Sequence, residues 1–130
     1  MAWKRLTFLF LFISSISIAE EQELNFKKIV SLDEPWGSTF INNDSLLITE
    51  KSGKIKLINL LDNNIKEINH NLKVLEYGQG GLLDIIFKNN SVWVSYTEKR
   101  DGWKTSTSIA RGMFDEKKLL LKIFFKHFHQ

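Results

Sequence analysis

The sequence predicts an all-β protein, and three observations carry that expectation. Short runs rich in Ile, Val, Phe and Thr alternate apolar with polar residues, as Ile55 and Leu57 do between the lysines of KIKLINL. That period-two pattern marks a half-buried strand. Turn-forming stretches such as Asn42-Asn43-Asp44 and Lys51-Ser52-Gly53 separate the runs, and no window sustains a helical period. Third, FINNDSLLITEK (40–51) and IFKNNSVWVSYTEK (86–99) repeat one plan: apolar strand, Asn-rich turn, apolar strand, Thr-Glu-Lys exit. Their central serines, Ser45 and Ser91, stand 46 residues apart. A period of about 40–50 residues with about four short strands per unit is that of β-propeller blades. The expected fold is a β-propeller of which the chain holds about two blades.

The first residues read as an address. Lys4-Arg5 precede an apolar core from Leu6 to about Ile13, and a small-residue stretch ends in Ser17-Ile18-Ala19. That order fits a secretory signal peptide over residues 1–19, cleaved after Ala19. The apolar core is well short of the ~20 residues that span a bilayer, so no stable membrane span is expected. A periplasmic or secreted location follows. Residues 20–130 are then the folding domain.

Past the leader, strand texture begins at FKKIVSL and continues through WGSTFI, SLLITE, KIKLINL and the short NIKEI. The apolar run LLDIIF, then VWVSY and TSIARGMF, repeat the texture. The tail EKKLLLKIFFKHF has an amphipathic look, but its β-branched and aromatic content favours a strand. Its expected form is one strand followed by a divergent end. His70 is placed in a loop between blades, and Trp36, Trp93 and Trp103 read as blade-packing aromatics.

Composition narrows the function. Hydrophobic residues make up 43% and charged residues 25% of the 130 residues, as in ordinary globular proteins. The net charge of +3 comes from scattered lysines, not a basic stripe, so nucleic acid is not an expected partner. With no cysteine there is no disulfide framework, thiolate metal site or cysteine nucleophile.

The stretch Gly78-Gln79-Gly80-Gly81 is the most unusual on the chain. Glycines reach positive φ and let a flat ligand approach the backbone. Gln79 among them offers an amide donor pair and one acceptor. A tight turn with a solvated glutamine fits the same residues. Asp84, inside the following apolar run, needs a partner for its carboxylate. Glu50 and Glu98 read as surface or turn residues, and Arg111 as an ion-pair partner between blades.

Five motifs in order carry a family resemblance. They are Pro35-Trp36; the set Leu47, Thr49, Glu50, Gly53 and Lys54-Ile55; GQGGLLD over residues 78–84; Ser95-Tyr96; and Ala110-Arg111-Gly112. From about Leu24 to Phe124 the chain resembles the glucose/sorbosone dehydrogenase family, soluble aldose sugar dehydrogenases that use pyrroloquinoline quinone (PQQ). The resemblance implies the N-terminal part of a six-bladed propeller and an aldose sugar as substrate. It also implies a cofactor site that includes Gln79, with Gly78 and Gly80. In the family a histidine before a Gly-Arg-Leu strand acts as base and Ca²⁺ polarises the quinone. His70, His127 and His129 do not match that histidine, and no Ca²⁺ ligands are assigned here. No catalytic or metal-binding residue is therefore assigned. The chain alone is expected to be inactive and, as an open piece of a ring, to self-associate. The rival from another class is a non-catalytic propeller module that binds a protein or glycan through its loops.

Overall fold

The computed structural model describes residues 23–126. The leader at residues 1–19 and the histidines His127 and His129 lie outside them. Residues 23–34, including the expected strand FKKIVSL, are irregular backbone. From there the structure is all β, arranged as two adjacent propeller blades.

The first blade opens with β1 (Pro35–Asn42), β2 (Ser45–Glu50), β3 (Ile55–Asn59) and β4 (Ile65–His70), each antiparallel to the last. The second is β5 (Leu82–Lys88), β6 (Ser91–Lys99), β7 (Thr105–Met113) and β9 (Lys122–Lys126). The tail departs from the expected single strand. A two-residue strand β8 (Lys118–Leu119) first crosses to the first blade and pairs parallel with the end of β4, and only then does the chain return as β9. Asn71 holds the crossing, its amide accepting from Leu121 N–H at 2.8 Å and donating to Leu121 C=O at 2.9 Å. An Asn side chain of this reach imitates a strand partner.

The second repeat turn takes the geometry its residues favour. Asn89 and Asn90, between β5 and β6, both have positive φ (50° and 55°). Two successive left-handed residues make the hairpin turn whose twist matches its strands, and asparagine tolerates that region best after glycine. Ser45 and Ser91 open the second strands of their blades, so the 46-residue offset is the step from one blade to the next.

Period-two burial gives each sheet two faces. On the facing sides, Leu47, Ile55 and Ile68 of the first blade meet Leu82, Ile85, Val92, Val94, Tyr96 and Ala110 of the second, with Leu119 and Leu121 sealing the outer edge. These side chains are almost wholly withdrawn from water. Each large aliphatic one contributes about 1.5–3 kcal/mol by burial. The blades meet most closely where β1 lies against β5. There Thr49 Oγ1 accepts from Gly37 N–H at 2.9 Å and donates to Leu83 C=O of the opposite blade. Phe87 N–H donates to Thr39 Oγ1 (3.2 Å), and Leu82 N–H to Lys51 C=O (3.1 Å). Gly81 makes the last contact possible, since a Cβ there would stand 2.4 Å from Lys51 O.

None of the three tryptophans packs in the seam between the two blades. Trp103 is fully exposed in the β6–β7 turn, Trp36 is half exposed, and Trp93 lies beneath the Arg111 guanidinium, 4.9 Å from its ring centre. Blade packing is done instead by aliphatic residues and Tyr96, because β-branched side chains fill the narrow seam between two pleated faces.

Thr49 is the seam residue whose effect is easiest to isolate. Thr49→Val keeps the shape and removes the hydroxyl, leaving a buried N–H and C=O without their partner, which costs about 1–3 kcal/mol. The urea midpoint of the folded chain is expected to fall accordingly. An unchanged midpoint would remove Thr49 as the clasp between the blades.

Candidate functional site

The loop from Asn71 to Gly81 joins the blades and comes to rest on the end of β6. Thr97 receives it. Its N–H donates to Gly81 C=O (2.8 Å), its C=O accepts from Leu75 N–H (2.8 Å), and its hydroxyl accepts from Gly81 N–H (3.3 Å). Gly80 packs so closely on this threonine that a Cβ would fall 2.8 Å from Oγ1.

Between these anchors the chain makes a tight two-residue turn. Tyr77 and Gly80 exchange backbone hydrogen bonds of 2.8 and 3.3 Å, with Gly78 and Gln79 at its tip. Gly78 has φ +57° and open space around it, so backbone conformation rather than crowding selects glycine. The glycines of this stretch therefore act differently: Gly78 bends the backbone, and Gly80 and Gly81 admit a close neighbour. Gln79 is left exposed at the tip.

Gln79 borders a cavity of about 300 Å³ whose wall also includes Thr97, Thr105, Ser106 and Thr107. The sequence reading named Gly78, Gln79 and Gly80 but missed these hydroxyl residues. Their signal was the run Thr105-Ser106-Thr107-Ser108, which reads only as an alternating strand until the register Thr97↔Thr107 brings it beside the loop. The lining is neutral and rich in donors and acceptors, suited to hydroxyl, carbonyl or carboxylate oxygens. Its size is at the lower end of small-molecule sites, which start at about 300 Å³.

A charged network underlies this end of the second blade. Glu98, expected at the surface, is largely buried and accepts from Ser108 Oγ (2.6 Å) and Arg100 Nη2 (3.0 Å). Burial raises the Tyr96 hydroxyl pKa above its usual 10; the Glu98 charge adds to that and Arg100 opposes it. Glu50 is likewise buried, not a turn residue: Asp33 N–H donates to Oε1 (3.0 Å), and Lys56 Nζ stands 3.9 Å from Oε2. Arg111 donates to Ser91 Oγ within its own blade (3.0 Å), and no carboxylate among the described residues pairs with it across the blades. Asp84 satisfies itself locally, accepting from Ile85 N–H at 2.8 Å where the β5–β6 register shifts.

His70 is the last residue of β4, not a loop residue, and both ring nitrogens are engaged. Leu72 N–H donates to Nδ1 (3.2 Å), so the neutral ring donates from Nε2 to Gly53 C=O (2.6 Å). It is committed to the backbone rather than to the Gln79 cavity. Among the described residues, no group of three or more His, Cys, Asp or Glu side chains is arranged to hold a metal ion. No helix among them is long and apolar enough to cross a membrane.

Comparison with known proteins agrees with this architecture. The family model for glucose / sorbosone dehydrogenase matches residues 32–129. Aldose sugar dehydrogenase YliI of Escherichia coli (strain K12) is 29% identical over 91 residues, covering 65% of this chain and 24% of that protein. A crystal structure of glucose dehydrogenase superposes with a TM-score of 0.68 at 28% identity, over 73% of this chain and 30% of the other. The soluble aldose sugar dehydrogenase from E. coli, in its apo-form, gives 0.67 at 26%, over 73% and 30%. A PQQ-bound aldose sugar dehydrogenase from Streptomyces coelicolor, 21% identical, shares the fold with a TM-score of 0.65. The chain thus spans about a quarter to a third of the length of these relatives. By the extent of the family match and the blades it describes, the chain belongs to the glucose/sorbosone dehydrogenase family.

Proposed function

We propose that the chain supplies the first two blades of a PQQ-dependent aldose dehydrogenase, with Gln79 as a ligand of the quinone or the sugar. The observation that carries this reading is the turn at Tyr77–Gly80, which projects Gln79 beside a cavity lined by threonine and serine hydroxyls. A binding glutamine must be held at a fixed place, and a turn tied to Thr97 on both sides does that.

The residues present suit part of a flat, oxygen-rich quinone. Gln79 would donate from its amide and Thr105 and Thr107 from their hydroxyls, and the open space around Gly78 would admit a planar face. When bound, the quinone supplies two-electron acceptance from the sugar's anomeric C–H. This chain's own share is binding and orientation: Gln79 and the hydroxyls position oxygens, and Thr97 holds the loop. Among the described residues His70 is engaged by backbone and no group of acidic and histidine side chains is arranged to hold a metal ion, so base chemistry and Ca²⁺ binding are assigned to parts of the site outside them. The chain alone therefore does not oxidise sugar, and its two-blade unit self-associates. Residues 1–19 direct it to the periplasm or beyond.

Purified chain with PQQ, Ca²⁺, a dye acceptor and a panel of aldoses is expected to give no turnover, and dye reduction above background would contradict the division of labour. The site is tested in a chimera in which residues 32–126 replace the matching stretch of the E. coli aldose sugar dehydrogenase. The chimera should reduce dye with sugar, and Gln79→Ala should lower kcat/KM by about tenfold, the loss of one hydrogen bond of about 1.4 kcal/mol. Equal activity in the variant would dismiss Gln79. Export is read separately: mass spectrometry of chain recovered from the periplasm should find Glu20 at the N-terminus, and an intact Met1 would rule out the leader.

A further inference from the structure

The residue that opens the Gln79 turn is a tyrosine whose ring the fold does not use. Tyr77 joins the turn through its backbone, exchanging hydrogen bonds with Gly80. It stands outside the two-residue tip and its φ is not left-handed, so the turn would form with many residues in its place. Its ring is 77% exposed and outside the core, whereas the chain's other tyrosine, Tyr96, is buried in the seam. Tyr77 does border the cavity of about 300 Å³, together with Gln79 and the hydroxyl residues of β6 and β7. Gly78 separates Tyr77 from Gln79, and nothing lies within 4 Å of the place a Cβ on it would occupy. The space over the turn is open, with an aromatic residue on one side of it and a carboxamide on the other.

We infer that Tyr77 is a specificity-determining residue for the sugar, its ring stacking on the apolar C–H face of a pyranose whose hydroxyls meet Gln79, Thr105 and Thr107. This rests on the sugar dehydrogenase reading above and adds how the ring form of the substrate is recognised. A pyranose with equatorial hydroxyls has its oxygens around the rim and axial C–H bonds on both faces. The cavity offers the matching surfaces: neutral donors and acceptors on one wall, one aromatic residue, and no charged side chain in its lining. The negative face of an aromatic ring attracts the weakly positive hydrogens of such C–H bonds. Tyrosine also supplies that face at low entropic cost, because it has only two side-chain torsions to fix. An acyclic polyol carries similar hydroxyls but no fixed apolar face. Tyr77 therefore selects by shape, and the hydroxyl wall by hydrogen bonding.

Two measurements test this. In the chimera described above, saturated with quinone, Tyr77→Ala should raise KM for glucose about fivefold and leave kcat unchanged, since the stacking favours bound sugar and transition state alike. Tyr77→Phe should match the parent, because the ring carries the contact. Trp103→Ala removes a more exposed aromatic that does not border the cavity, and it should change nothing. A fall in kcat without a rise in KM, or a Phe variant as impaired as the Ala variant, would overturn the inference. The second measurement uses the purified wild-type chain with its two tyrosines ¹³C-labelled in the ring. Glucose, added to molar concentration, should move the Tyr77 ring resonances and leave those of buried Tyr96 in place, while sorbitol should move neither. If glucose shifts the Gln79 side-chain amide but not the Tyr77 ring, the stacking is wrong and the sugar site at Gln79 stands. If neither responds, both readings fall. An equal response to sorbitol, or a Tyr77 ring that moves with PQQ and not with glucose, would also overturn the assignment of this ring to the sugar.

Discussion

The approach of two backbones at the inner end of the blade seam governs the rest of the molecule. Lys51 C=O accepts from Leu82 N–H across the blades, and Gly81, lacking a side chain, lets that carbonyl come near. Thr49 clasps the same region, joining Gly37 of its own blade to Leu83 of the other. Because these contacts fix where β5 begins, they also fix the loop that leads into it. The turn at Tyr77–Gly80 is thus placed by the interaction that holds the blades together. Seam and site share one segment, which is why three glycines fall within four residues.

Hydrophobic burial supplies most of the cohesion, and hydrogen bonds supply the register. Ile85, Val94 and Ala110 would pack in several sliding positions against Leu47 and Ile55, since apolar contacts are non-directional. Thr39, Thr49 and Lys51 select one of them by leaving a buried polar group unsatisfied in the others. Asn71 does the same at the outer edge, where it ties Leu121 to the interblade loop. The network of Glu98, Arg100, Ser108 and Tyr96 then stiffens the β6–β7 end on which the Gln79 turn rests.

Much of this was legible in the sequence, and the failures are instructive. Alternation in KIKLINL and TSIARGMF gave β3 and β7, the Asn-rich turns gave both hairpins, and the GQGG stretch pointed to the site. Local pattern could not tell that FKKIVSL, rich in strand-forming residues, stays irregular backbone in this fold. Nor could it tell that the tail divides between two sheets, since β8 owes its place to β4, nearly fifty residues away. Glu50 and Glu98 looked like surface residues because carboxylates usually are; the N–H, lysine, serine and arginine groups that keep them buried are apparent only in three dimensions. The threonines around Gln79 were hidden for the same reason. Strand register, not spacing along the chain, brings Thr105 and Thr107 to the loop.

The central claim is that the two blades form one cooperative unit through the seam, and that the seam holds the Gln79 turn in place. Native-state amide hydrogen exchange tests it most directly. The N–H groups of Leu82, Phe87 and Thr97, which bond across the seam or to the loop, are expected to exchange as slowly as the interior strand amides of Leu47 and Val94, all opening together with global unfolding. If Leu82, Phe87 and Thr97 exchange orders of magnitude faster while Leu47 and Val94 stay protected, the blades open independently and the account of the site fails with them.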